Sequence, residues 1–168
     1  MAVPVWAVGQ VLSASDVNTW FVPITVVKPS DTGRNTTTTM TADPDLTLAV
    51  ATNSTYEVRA LIQYKGGTNN SSDAQFTITA PASSTGFFIG VRRQITGPLT
   101  SGIDWTALGG AMNAGTNGTG TVLPLILTAT VTTAGTAGNI AVAWAQNTSN
   151  GTNTTVMAGS QLILQRTG

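Results

Sequence analysis

Residues 54–65 read STYEVRALIQYK. Tyr56, Val58, Ala60, Ile62 and Tyr64 fall on every second position, and Glu57, Arg59, Leu61 and Gln63 fill the places between. A period of two sends successive side chains to opposite faces of an extended chain, whereas a helix needs apolar residues three and four apart. One apolar face beside one more polar face is the pattern of a half-buried strand in an antiparallel sheet.

The same period recurs outward in both directions. Ile24 and Val26 alternate with Thr25 and Val27, and Leu46, Leu48 and Val50 alternate with Thr47 and Ala49. Ala74, Phe76 and Ile78 oppose Gln75, Thr77 and Thr79, and GFFIGVRRQ (86–94) supplies another strand. Leu123, Leu125, Leu127, Ala129 and Val131 share a face, as do Ile140, Val142 and Trp144, and then Leu162 and Leu164. Ala141, Ala143 and Ala145 form a small-residue second face, either simply solvated or open to the close approach of another subunit. Turn clusters such as KPSDTGRN (28–35), KGGTNNSSD (65–73), TTAGTAGN (132–139) and QNTSNGTN (146–153) separate the runs. Pro124 donates no ladder hydrogen bond, so it places the start of its strand at an edge or a bulge. Asp43 and Asp45 flank Pro44 in a stretch that reads as a turn before a strand, with the carboxylates capping backbone amides. Many short strands with frequent turns, and no alternation with long helices, predict an all-β antiparallel sandwich or jelly roll.

One segment departs from the pattern. Residues 6–21, WAVGQVLSASDVNTWF, hold two of the four tryptophans and predict a short helix over 13–21. Ser13 is placed to cap it with Asp16 three residues on, and Pro23 bars its continuation. The chain therefore divides into an N-terminal arm, residues 1–21, and a β-sandwich domain, residues 22–168. Trp6, Val8, Val11, Leu12, Trp20 and Phe21 are large apolar groups on a terminal arm. They must be buried under the domain or in a groove of a partner.

Composition narrows the function. The 168 residues are only 8% charged, with seven basic and seven acidic side chains. That balance, with no charge run, argues against nucleic acid or an anionic membrane as partner. Near-zero net charge fits a protein that works inside an assembly. There is no cysteine and no histidine, which excludes thiolate and histidine-based nucleophilic catalysis and the usual zinc sites. No stretch has the roughly 18 consecutive apolar residues of a membrane helix. The opening lacks a basic n-region, so a secretory signal is not expected. The Asn-x-Ser/Thr triplets at Asn35, Asn53, Asn69, Asn70, Asn117, Asn147, Asn150 and Asn153 follow from composition. Scattered carboxylates are the remaining acid–base groups, and calcium at Asp31 or Asp43/Asp45 lacks a dense ligand loop. No catalytic residue, cofactor or metal is assigned. Glu57 and Arg59 read as a surface pair, and Arg92 and Arg93, adjacent on a strand, point to opposite faces. Trp144, within an alternating run, belongs to the core. Residues 97–121 are the hardest to assign. They read either as an irregular strand plus a turn or as a functional loop carrying Ile103, Trp105 and Leu108, with Trp105 the candidate for stacking on a sugar.

The opening stretch WAVGQVLSASDVNTWFVP resembles the start of many tailed-phage structural proteins, in which Trp-x-x-Gly-x-x-x-(Thr/Ser)-Ala-x-x-x-Asn precedes the body. Trp6, Gly9, Ser13, Ala14 and Asn18 fill that pattern. The segment from VVKPSD to IQYKG (26–66) is similar to a recurrent segment of actinobacteriophage structural proteins. It carries Lys-x-x-Asp, a Thr-rich strand, Asp-x-Asp-Leu and Ala-x-Asn-x-x-Tyr-Glu-Val. The end, MAGSQLILQRTG (157–168), is similar to the same group, whereas 97–121 is not covered. The resemblance implies a virion structural protein with a jelly-roll domain of tumour-necrosis-factor-like kind, forming homotrimers. As a capsid decoration protein it would bind the major capsid protein through the arm. The alternative it implies is a minor tail or fibre-tip protein that binds a host-surface glycan.

Overall fold

The computed structural model describes residues 6–66, 73–93, 101–118 and 120–168. A short helix α1 (Ala14–Trp20) precedes twelve strands: β1 (Ile24–Val27), β2 (Thr32–Arg34), β3 (Thr41–Val50), β4 (Thr55–Lys65), β5 (Ala74–Thr79), β6 (Thr85–Arg93), β7 (Ser101–Ala107), β8 (Met112–Ala114), β9 (Leu123–Thr132), β10 (Gly138–Gln146), β11 (Thr154–Val156) and β12 (Gln161–Arg166). The larger sheet runs β1-β12-β4-β9-β6-β7, with β2 and β11 attached beside β4, and the smaller runs β3-β10-β5-β8. All pairings in both sheets are antiparallel.

Eight of these strands form a closed pattern once β2, β11 and the β6–β7 hairpin are set aside. Renumbered in chain order, they lie 1-8-3-6 in one sheet and 2-7-4-5 in the other. This is the double Greek-key connectivity of a jelly roll. The hairpin is an insertion between β5 and β8 that extends the large sheet beyond β9. Of residues 97–121, expected to form one irregular strand plus a turn or a functional loop, 97–100 and 119 lie outside the described residues, and the rest hold the strands β7 and β8, joined by a turn in which Gly110 N–H donates to Ala107 O.

The alternation in β4 becomes burial: Tyr56, Val58, Ala60, Ile62 and Tyr64 lie in the core. Leu125, Leu127, Ala129 and Val131 of β9 and Leu162 and Leu164 of β12 join them from the same sheet. Phe76, Ile78, Ile140, Val142 and Trp144 meet them from the facing sheet. Tyr64 packs edge-on to Phe76, with ring centroids 5.3 Å apart, and its hydroxyl donates to Gly115 O at 2.8 Å. Burial pushes its phenol well above the ordinary value.

Ala141, Ala143 and Ala145 do not form an open face for subunit approach, because they are already buried within one chain. The reason is that β10 lies between β3 and β5. Each methyl is overtopped by taller neighbours: Ala141 sits between Thr47 and Thr79, and Ala143 pairs with Thr77. Ala145 pairs with Gln75, whose side-chain amide bridges Thr38 O and Gln146 O.

The two strand prolines follow from the missing N–H. β6 pairs with β9 only over Ile126–Thr132, so Pro124 lies beyond its reach, at the edge position expected. Pro44 departs from expectation. The ADPD stretch belongs to β3 and is not a turn before it. Ala141 pairs with Thr47 but Ala143 pairs with Ala42, so residues 43–46 bulge opposite Val142 alone. A bulge is where proline is tolerated within a sheet, and it bends the strand enough to re-aim side chains.

Gly86 marks the tightest backbone approach. Its φ is +150°, and a Cβ there would lie 2.2 Å from Thr130 O of the neighbouring strand. We expect Gly86→Ala to lower stability by about 3 kcal/mol through backbone strain and displacement of β6 from β9. A urea denaturation midpoint equal to that of the parent would contradict this.

Candidate functional site

The arm is built locally. Ser13 Oγ accepts from Asp16 N at 3.1 Å, and Ser13 N donates to Asp16 Oδ2 at 3.0 Å, so the expected capping box is present. The Ser13 hydroxyl, which donates to Asp16 Oδ2 at 2.6 Å, and then the Ser13 N–H hold the Asp16 carboxyl below its usual pKa. The helix ends at Phe21, whose N–H still donates to Val17 O. Val8, Val11, Leu12, Val17 and Phe21 all face solvent, and Trp6 is half-buried. Trp20 closes the helix, and its side chain lies outside the described residues.

A second apolar surface lies on the outer face of the large sheet. Strand register aligns Val27, Gln161, Leu61, Ile126, Val91 and Ile103 in one row across six strands. The next row is Thr25, Ile163, Arg59, Thr128, Ile89 and Trp105. Trp105 is 77% exposed and Ile103 73%, and Leu61, Phe87, Ile89, Val91 and Ile126 are exposed beside them. Phe87, Ile89, Ile103, Asp104 and Trp105 line a groove of about 350 Å³. The one charge in these rows, Arg59, is balanced from the row beside it, where Glu57 Oε1 lies 2.6 Å from Arg59 Nη2, the surface pair expected from the sequence. The structure therefore brings Ile103 and Trp105 together but separates Leu108, which packs against the core. Alternation was enough to find the strands but not this face, because Phe87, Ile89, Val91, Leu61 and Ile126 line up only once β4, β9 and β6 are in register.

The carboxylates form no open pair across a cleft. Asp16 caps α1, Asp31 accepts from Ala158 N, Asp73 accepts from Thr116 N, and Asp104 pairs with Arg92. Glu57 holds Arg59, and Asp43 and Asp45 both hold Lys28. Among the described residues, no three His, Cys, Asp or Glu side chains gather in a way that could hold a metal ion.

The Lys28 cluster is a buried polar site that alternation along the chain does not reveal. Lys28 follows β1, and its backbone is fixed on both sides: Lys28 N donates to Ser160 O and Gly159 N donates to Lys28 O. Its Nζ lies 2.8 Å from Asp43 Oδ1 and 2.8 Å from Asp45 Oδ2, with the Lys28 and Asp43 side chains fully buried. Asp43 Oδ1 also accepts from Asp45 N at 3.1 Å, which is the amide capping expected of it. Asp43 Oδ2 accepts from Trp144 Nε1 at 3.0 Å. The Trp144 ring stacks on Phe76 and lies under the Arg34 guanidinium, 4.2 Å from its centroid. Arg34 donates to Thr41 O, Ala42 O and Trp144 O. Burial pushes its guanidinium below the ordinary value, and the Asp43 charge opposes that shift. The bulge at 43–46 is what turns Asp43 inward.

No family model and no curated protein matches the chain in sequence. Among solved structures, the Gt strain of infectious bursal disease virus aligns with 87% of this chain and 42% of its own at 8% identity, TM-score 0.24. The VP2 subviral particle of the same virus aligns with 87% and 41% at 9% identity, TM-score 0.22. The chain thus spans less than half the length of these structures. TM-scores this low give the likeness no weight as to fold or function.

Proposed function

We propose that this protein is a non-enzymatic structural component of a virion, a capsid decoration protein that assembles as a homotrimer and docks on the major capsid protein through residues 1–21. The observation that carries the reading is the pair of exposed apolar surfaces, arm and sheet face, on a charge-poor sandwich whose carboxylates are all engaged. The resemblance of the opening motif and of residues 26–66 to phage structural proteins gives the reading its setting.

The sheet face suits a second copy. Its seven exposed apolar side chains, two of them aromatic, leave on the order of 600–900 Å² uncovered if each offers roughly 150–250 Å² when fully exposed. That exceeds the largest patch of a typical monomer, roughly 300–600 Å². It matches one side of a standard interface, about 800 Å² per partner. The Arg59–Glu57 pair means that a partner buries no lone charge there.

The arm suits a separate partner. Three arms on one trimer bind a shell weakly one by one and tightly together, because each later arm acts at high effective concentration. We expect removal of residues 1–21 to leave a folded oligomer that no longer co-sediments with tailless heads. A truncated protein that still decorates heads would overturn the arm's role. The exposed Trp105 also supports a second reading, a tail-tip protein that stacks a host-surface glycan on the indole. Binding to tails or cells in place of heads, with glycan capture lost in Trp105→Ala, would favour it.

A further inference from the structure

The Lys28 cluster has the makings of a reaction centre. An amine, a carboxyl and a second carboxyl converge in the sandwich with their positions fixed by strands and by an indole. As a purely ionic arrangement it is a poor source of stability, because desolvating the charges offsets most of their attraction. The sequence also has no cysteine with which to brace the fold covalently.

We propose that Lys28 and Asp43 condense into an intramolecular isopeptide bond, Nζ to Cγ, with Asp45 shuttling the proton. A proton passed from Nζ to Asp43 leaves a neutral amine beside a neutral acid. The Nζ lone pair attacks Asp43 Cγ, and a tetrahedral centre forms. Asp45 Oδ2, 2.8 Å from Nζ, takes the proton that nitrogen sheds and returns it to the departing oxygen. The C–O bond breaks, one water leaves, and a secondary amide remains. Nothing is oxidised or reduced.

The surroundings match those steps. Nζ sits 2.8 Å from Oδ1, so the carbon one bond away is close to the near-attack range of about 3–3.5 Å. Trp144 Nε1–H donates to Oδ2 and Asp45 N–H donates to Oδ1, so both oxygens are held as charge develops on them. Fixed neighbours of this kind reach effective concentrations of about 10⁵–10⁸ M. The bond would join the edge of one sheet to the edge of the other, since Lys28 follows β1 and Asp43 lies in β3.

Intact mass spectrometry of the purified full chain is the test. The expected mass is lighter than the sequence mass by one water, with tandem spectra joining the peptides that contain Lys28 and Asp43. Lys28→Arg, which keeps the cation, should restore the full mass. Asp45→Asn should leave most molecules at full mass while Lys28 and Asp43 remain paired. The full sequence mass in the unmodified protein would overturn the bond. So would a lost water that persists in Lys28→Arg, because the dehydration would then lie elsewhere. An Asp45→Asn protein that reacts fully would remove Asp45 as the shuttle.

Discussion

Trp144→Ala is expected to cost about 3–5 kcal/mol, the usual range for emptying a buried aromatic site. Three losses act together. The indole is fully buried and stacks on Phe76 at a centroid distance of 6.5 Å, so its removal opens a void that neighbouring strands cannot close. Arg34 loses the ring beneath its guanidinium. Asp43 Oδ2 loses its indole donor in a place water does not reach, and an unpartnered buried acceptor costs about 1–3 kcal/mol. Trp144→Phe separates these terms. It keeps most of the ring and removes the donor, so it should show only the last. Urea unfolding of both variants against the parent gives the comparison. A loss in Trp144→Ala below about 1 kcal/mol would mean that the indole is not the centre of this core.

How much of this was legible in the sequence depended on distance along the chain. The capping box joins Ser13 to Asp16, three residues apart, and was readable at once. The inward faces of β4, β9, β10 and β12 were readable because alternation is local. So was the place of Pro124. The inward turn of Asp43 was not, because it depends on a mismatch between β3 and β10 in strands separated by about a hundred residues of chain. The same is true of Lys28, which sat in a turn cluster when read alone. Two acids around a proline in a chain with only seven acids were a signal, but not one that indicated which way they faced. Ile103 and Trp105 looked like anchors of a loop because large apolar groups usually pack. They lie instead on an inserted hairpin whose outer face is bare. Leu108, only three residues on from Trp105, turns to the core.

That bare face yields the other large prediction. The double variant Ile103→Ser, Trp105→Ser should fold as well as the parent and fail to assemble. The first half follows from exposure: both side chains point to solvent from an edge strand, and surface changes away from caps and strain usually stay within about 0.5 kcal/mol. The second half follows from their position at the ends of two rows that cross the sheet. A large aromatic or aliphatic side chain that packs into a partner as a hot spot is typically worth about 2 kcal/mol or more. Losing two weakens each contact by about 4 kcal/mol, or roughly a thousandfold. In a three-fold ring each contact sets this face of one subunit against a different patch of the next, so the penalty is repeated at every contact around the trimer. Sedimentation over a range of concentrations should show the parent as one oligomer and the variant as monomer, with matching thermal melts. A parent that is monomeric throughout would remove the second copy as the occupant of this face. An unchanged oligomer in the variant would move the contact elsewhere and leave Trp105 free for a glycan. Exposed apolar side chains lie side by side on four adjacent strands, β4, β9, β6 and β7, and an area of that size calls for a cover.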